Sequence, residues 1–216
     1  MPAFVRVLLY LLLGVPLTFL LLHTIIRVIR HVIKFPIPAF LAGAIDNPLR
    51  RRIQPPDHTA VCHGIEPGMT VLEIGPGNGT YTMAAARLIG PEGTLVTIDI
   101  EPKMIEGVKM RAAGEGITNL HARTANVFDL PFEDRTFDVI YMITVIGEIP
   151  TPEKALLEFH RVLKPGGTLS FSEILLDPDY PLASTLEGLA VSNGFQLKER
   201  LGTFFCYTLQ FEKASQ

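Results

Sequence analysis

Thr70-Val71-Leu72-Glu73-Ile74-Gly75-Pro76-Gly77-Asn78-Gly79-Thr80-Tyr81 is the stretch that decides the fold of this chain. Val71 to Ile74 reads as a short buried strand, entered through the turn Glu66-Pro67-Gly68 and running straight into a loop with glycine at every second position. Such glycines let the backbone turn through positive φ and let a ligand lie against the main chain, where a Cβ would collide. Glu73 sets a carboxylate just ahead of the turn. At the C-terminal end of the first strand of a parallel sheet, a loop of this kind meets its ligand in the crevice where the strand order reverses.

The spacing bears on which ligand. A dinucleotide loop is Gly-x-Gly-x-x-Gly, whose last glycine lets a helix pack closely beside a pyrophosphate. Here the third glycine, Gly79, comes one residue earlier. The order acidic-x-Gly-x-Gly-x-Gly resembles the first motif of class I S-adenosylmethionine (SAM)-dependent methyltransferases, whose ligand has no phosphate to cradle. The competing reading is an ordinary glycine-rich turn.

C-terminal to the loop, helical and β-rich runs alternate. A helix over Tyr81 to Ile89 stops at Gly90-Pro91; Thr94 to Ile98 is a second strand; Pro102 opens a helix to about Glu115; His121 to Ala125 is a third strand. Phe137 to Met142, a helix over Thr151 to Leu163 and a strand Thr168 to Glu173 follow, then a helix over Ser184 to Ser192. The pattern predicts a parallel sheet covered by helices on both faces, a Rossmann-like α/β domain. Gln196 to Leu201 and Phe204 to Phe211 are joined only by Gly202-Thr203, too short for a crossover, so they pair antiparallel.

N-terminal to the loop the chain changes character. Val7 to Ile26 is almost continuously apolar, broken by Gly14, Pro16, Thr18 and His23, and about twenty such residues can cross a bilayer as a helix. Arg27, Arg30 and Lys34, and again Arg50, Arg51 and Arg52, follow it, which by the positive-inside rule places the body in the cytoplasm. A cleaved signal peptide competes poorly: the apolar run is long, the n-region slight, and no convincing cleavage site follows. Gly14 and Pro16 leave a bent or interfacial helix as the alternative. The organisation expected is an anchor helix over 1–34, a basic, proline-containing juxtamembrane linker over 35–56 with Arg50 to Arg52 facing anionic lipid, and the globular domain over 57–216. Residues 1–56 carry seven Lys/Arg and one acid, and residues 57–216 twelve and twenty-one. So acidic a body is a poor partner for nucleic acid. Cys62 and Cys206 are the two cysteines, far apart, which fits a reducing compartment and no zinc site.

The second strand ends in Asp99, twenty residues after Gly79, where an acid can accept hydrogen bonds from both ribose hydroxyls. Val96-Thr97-Ile98-Asp99-Ile100-Glu101-Pro102-Lys103-Met104-Ile105 resembles the second-strand signature of class I methyltransferases of the ubiquinone/menaquinone-biosynthesis type (methyltransferase type 11). Ala125-Asn126-Val127-Phe128-Asp129-Leu130-Pro131-Phe132 with Phe137-Asp138 resembles their adenine-side loop and fourth strand, and Arg161-Val162-Leu163-Lys164-Pro165-Gly166-Gly167 their turn before strand five. The resemblance covers most of residues 57–211 and implies a seven-stranded sheet whose last strand is antiparallel. It also implies SAM as cosubstrate, with its methionine part against Glu73, Gly75 and Gly77, Gly79 as a further cofactor-binding glycine of the loop, its ribose on Asp99, Ile100 packed on the adenine, and Asn126 and Val127 at the adenine edge. The segment Met142-Ile143-Thr144 would approach the amino-acid end. Asn126 stands where many relatives have Asp; either can accept from the adenine amino group.

Methyl transfer from a sulfonium proceeds by in-line displacement, so holding acceptor, methyl and sulfur in line is the main task, and a base is needed only for an acceptor that must lose a proton. Substrate-side candidates lie past strands four and five: Thr144, Glu148, Glu173 and Tyr180, with Asp177 and Asp179 nearby. In many small-molecule relatives a His stands about where Glu148 is, so its replacement counts against a His-base mechanism. The reading is a membrane-anchored methyltransferase acting on a lipophilic small molecule or lipid: a quinone-like ring, a headgroup amine or a thiol. The alternatives are a non-catalytic SAM-binding scaffold at the membrane and a methyltransferase for a soluble small molecule.

Overall fold

A computed structural model describes residues 3–32 and 47–213 of the chain. Seven strands form one sheet: β1 (Thr70–Ile74), β2 (Thr94–Asp99), β3 (Leu120–Thr124), β4 (Phe137–Ile143), β5 (Leu163–Ile174), β6 (Phe195–Gly202) and β7 (Cys206–Lys213). Their order is β3-β2-β1-β4-β5-β7-β6, with β7 antiparallel to both of its neighbours and the rest parallel. The chain starts in the middle of the sheet and runs outward one way, then the other. The reversal therefore falls between β1 and β4, directly beyond the glycine loop.

Side-chain alternation along the central strands divides the core in two. Val71, Val139 and Tyr141 face the helices α3 (Pro56–Cys62) and α4 (Thr80–Ile89), packing with Ala60, Ala84, Ala85 and Ile89. Leu72, Ile74, Ile140 and Met142 face the other way, against Ala155, Leu156 and Phe159 of α6 (Pro152–Val162) and Leu186 and Ala190 of α7 (Ala183–Ser192). The fifth named helix, α5 (Pro102–Gly114), covers β2 and β3 through Val108 and Ala112. Phe159 is fully buried, so its truncation to Ala costs about 3–5 kcal/mol. Pro102 and Pro152 open their helices at a position where the missing N–H is not needed.

β5 begins at Leu163 rather than near Thr168, because Lys164 to Gly167 form an irregularity within the strand: Phe137 pairs with Leu163 and Val139 already with Thr168. Arg161 and Lys164 are structural, Arg161 binding Glu158 and the carbonyls of Leu130 and Phe132, and Lys164 binding Asp138 at 2.7 Å.

The N-terminal arm forms α1 (Ala3–Val32) and a short helix α2 (Pro48–Ile53), the latter capped by Asn47 through its side chain and Arg50 N. Residues 33–46, which hold most of the expected linker, lie outside the described residues. Leu12–Arg30 is apolar and long enough to cross a membrane, and of its described side chains only that of Arg30, at its end, is buried in the protein. The C-terminal end of α1 is held to the body. Arg27 donates to the carbonyls of Pro178 and Asp177, and Arg30, only 6% exposed, pairs with Asp179 and with Glu148.

Candidate active site

A cavity of about 300 Å³ opens at the C-terminal ends of β1, β2 and β4, a volume in the range of small-molecule sites. Its floor is the glycine loop. Gly75 (φ +69°) lies so close to Val145 that a Cβ would come within 2.6 Å of a methyl group, which brings the loop against the end of β4. Gly77 (φ +56°) is different: a Cβ there would meet nothing within 4 Å and would project into open space. This is a floor that keeps room for a ligand against the backbone.

Glu73 reaches the cavity wall from a buried position. Burial pushes its carboxyl pKa up, the hydroxyls of Thr82, Thr97 and Tyr141 pull it down, and the charge of Asp99 adds to the rise. Asp99 ends β2, on the β1 side of the crevice; one carboxylate oxygen accepts from Glu101 N at 2.8 Å, and burial raises its pKa. Ile100, Asn126 and Val127 form the adjoining wall with Met104 and Phe128, and Asn126 Oδ1 accepts from Phe128 N at 3.0 Å. Ile143, Thr144, Val145, Glu148, Ile149 and Pro150 close the far side.

Four expected site residues lie elsewhere. Gly79 is the N-cap of α4 in left-handed conformation (φ +84°) and packs toward Val108 and Arg111 of α5, outside the cavity wall. Met142 is fully buried because the alternation that puts Ile143 at the cavity turns Met142 into the core between β4, α6 and α7. Glu173 is on β5, beyond β4 from the crevice, and sits buried behind the cavity. Burial and the neighbouring negative Asp177 push its pKa well up. Tyr180 spends its hydroxyl on the carbonyl of Phe204 and carries the Arg27 guanidinium 5.9 Å from its ring centroid, so it braces the loop under α1 rather than facing the cavity.

Arg50 carries no local sign of a site role in the sequence. Expected at a lipid surface with its neighbours, it is turned inward, 9% exposed and in the cavity wall, while Arg51 and Arg52 remain exposed. Tyr81, Met104 and Phe128 also join the wall. Among the described residues no group of three or more His, Cys, Asp or Glu side chains could hold a metal. His63 is a core residue, its ring nitrogens 2.7 and 3.2 Å from Ser170 and Ser172 hydroxyls and its pKa lowered by burial to about 3.

A central parallel sheet with one antiparallel strand, a glycine-loop floor and an acid at the end of β2 define a Rossmann-like methyltransferase fold. The solved structure of a SAM-dependent methyltransferase from Aquifex aeolicus matches 83% of this chain and 100% of its own, with a TM-score of 0.77 and 21% identity. The [4+2]-cyclase SpnF matches 74% of this chain and 80% of its own, with a TM-score of 0.66 and 18% identity. Residues 65–204 match a family described as a methyltransferase domain, and the chain belongs to that family. S-adenosylmethionine is the cosubstrate that this membership implies, and the Gly77 floor and the Asp99 carboxylate suit it. The ubiquinone/menaquinone biosynthesis C-methyltransferase UbiE of Vibrio campbellii is 38% identical over 124 residues, 56% of this chain and 48% of the relative. The protein of the same name from Idiomarina loihiensis is 33% identical over 146 residues, 67% of this chain and 57% of the relative. The chain thus spans about half the length of the curated relatives it matches.

Proposed function

We propose that this protein transfers a methyl group from SAM to a lipophilic acceptor at a membrane surface, with a quinone-like ring as the favoured acceptor. The observation that carries this reading is the placement of α1: an exposed apolar helix whose basic end is bound, through Arg27 and Arg30, to the loops beside the cavity. Tethering there raises the local concentration of the site for a molecule dissolved in the bilayer. The names of the UbiE relatives support carbon as the acceptor atom and an isoprenoid quinone precursor as the substrate class. The basic residues flanking α1 support a body on the cytoplasmic face.

SAM supplies an electrophilic methyl on a sulfonium; as the new bond to the acceptor forms, the S–CH3 bond breaks and its electron pair stays on sulfur, and a ring-carbon acceptor then releases its hydrogen as a proton to a base on the acceptor side. In this reading Asp99 holds the ribose hydroxyls, Ile100, Asn126 and Val127 hold the adenine, and Glu73 with the Gly75–Gly77 backbone holds the methionine part. Val145, Ile149 and Pro150 keep water from the reacting atoms, and Glu148 is the nearest wall carboxylate on the acceptor side. Its ion pair with Arg30 fits it to orient the mouth.

Full-length protein in native-lipid nanodiscs, incubated with SAM carrying an isotopically labelled methyl group and then extracted with organic solvent, tests the proposal. Label in an organic-phase quinone or lipid is expected. SAM binding with an unlabelled extract would reject a bilayer-dissolved acceptor.

A further inference from the structure

Arg50 enters the cavity from outside the family-matched segment, which begins at residue 65. Its guanidinium lies 5.6 Å from the centroid of the Tyr81 ring, in the first turn of the helix that follows the glycine loop. Nη2 donates to Thr144 Oγ1 at 2.9 Å, at the end of β4. Arg50 therefore bridges the two segments that face each other across the strand-order reversal, the turn after the glycine loop and the end of β4.

Its donors are largely unspent. A guanidinium carries five N–H groups. Among the described residues the Arg50 side chain makes that one hydrogen bond, and its Nε is buried with no partner. No carboxylate lies within ion-pair distance of it among the described residues, although Glu173 and Asp177 are near enough to feel its charge. A cation 91% buried without a bonded anion is a costly arrangement unless a ligand completes it. Thr144, which fixes the guanidinium, holds a left-handed backbone (φ +54°) although it is not glycine, a strained conformation of the kind that persists where a site needs it. Its own N–H is bound to Ser172 O at 2.9 Å, so the strained position is held from behind.

We infer that Arg50 is a ligand-binding residue that takes a carboxylate or another anionic oxygen within the cavity, so that the N-terminal arm completes the site. This rests on the SAM-dependent reading above. Two sources carry that chemistry: the α-carboxylate of the methionine part of SAM, and an acidic oxygen on the acceptor. The bridge between the Tyr81 turn and Thr144 favours the first, because the proposed function puts the amino-acid end of the donor beside the glycine loop. A planar guanidinium suits either, since it can engage both oxygens of a carboxylate at once.

The test is calorimetric titration of the full-length protein and its Arg50→Ala and Arg50→Lys variants with S-adenosylhomocysteine and with 5′-methylthioadenosine, which lacks the amino-acid part. For the donor carboxylate, Arg50→Ala weakens S-adenosylhomocysteine binding about 10- to 100-fold and leaves methylthioadenosine within about threefold. For the acceptor oxygen, both nucleosides bind as in the wild type while KM for the acceptor rises by about tenfold or more. Unchanged affinity for both nucleosides together with unchanged KM overturns the inference. Equal losses for both nucleosides overturn it too, because they mean a collapsed site. Arg50→Lys keeps the charge and the buried stem, and is read in the same way if the Ala variant does not fold. Failure of the wild type to bind S-adenosylhomocysteine would instead defeat the SAM-dependent reading.

Discussion

The two glycines of the cavity floor answer to different demands, and substituting each by alanine separates them. Both have positive φ, so either substitution carries the left-handed penalty of roughly 1–2 kcal/mol. At Gly77 nothing else is added, since the new methyl meets no protein atom within 4 Å. At Gly75 the methyl comes to 2.6 Å from Val145, and overpacking of this kind adds about 1–3 kcal/mol. For a domain of this size each kcal/mol moves Tm by roughly 2–4 °C, so Gly77→Ala lowers Tm by about 2–8 °C and Gly75→Ala by about 4–20 °C. Binding should rank the other way. The Gly77 methyl occupies space assigned to the donor and weakens S-adenosylhomocysteine by about tenfold or more, a loss of roughly 1.4 kcal/mol or greater. The assay is thermal unfolding and calorimetric titration of both variants in the same detergent. Wild-type affinity in Gly77→Ala would refute the placement of the ligand over that glycine, and equal stability of the two variants would refute the Val145 contact as the loop's support.

Asp99→Ala should weaken SAM about tenfold through loss of a charged acceptor for the ribose hydroxyls, and unchanged affinity in a titration would reject that assignment. Arg30→Met strands the buried Asp179 and should cost about 3 kcal/mol in chemical denaturation, less when combined with Asp179→Asn; equal costs would mean the two charges do not couple. The Glu173 carboxyl has a pKa raised above its unfolded value of 4.5 by burial, so the stability linked to its proton is full below that value and is lost as pH rises. Glu173→Gln should therefore gain on the wild type as pH rises above about 5, read as urea midpoints, and a gain that does not grow with pH would show an ionised Glu173 in the fold. Deleting residues 1–22, which spares Arg27 and Arg30 and their partners, should leave SAM affinity unchanged and depress turnover on a membrane-dissolved acceptor. Undiminished turnover would sink the anchoring argument.

The parts of the fold visible in the sequence are those written in local pattern. The strand entering the glycine loop, the helices opened by Pro102 and Pro152, and the hairpin of β6 and β7 all lie within a residue or two of where periodicity and turn residues put them. Local pattern puts the start of β5 too late because Pro165-Gly166-Gly167 is ordinarily a turn, and only the pairing of Leu163 with Phe137 draws it into the strand. For the site, Asp99 and Gly77 carried their own signals in spacing. Arg50 did not: its partner Thr144 is 94 residues away, and in sequence it is one of three consecutive arginines beside an apolar run. Met142 and Ile143 differ only in the face to which a strand directs them, which the family motif alone does not specify.

The position of β7 bears on how the chain is made. β7 is the last strand in chain order, yet it lies between β5 and β6 and pairs with β5 along Thr168 to Ile174. Until it emerges from the ribosome, the outer edge of β5 has no partner, and a long apolar edge is a template for pairing with other chains. α1 is by then already synthesised. The interval between β5 and β7 is thus when a newly made copy is most open to aggregation.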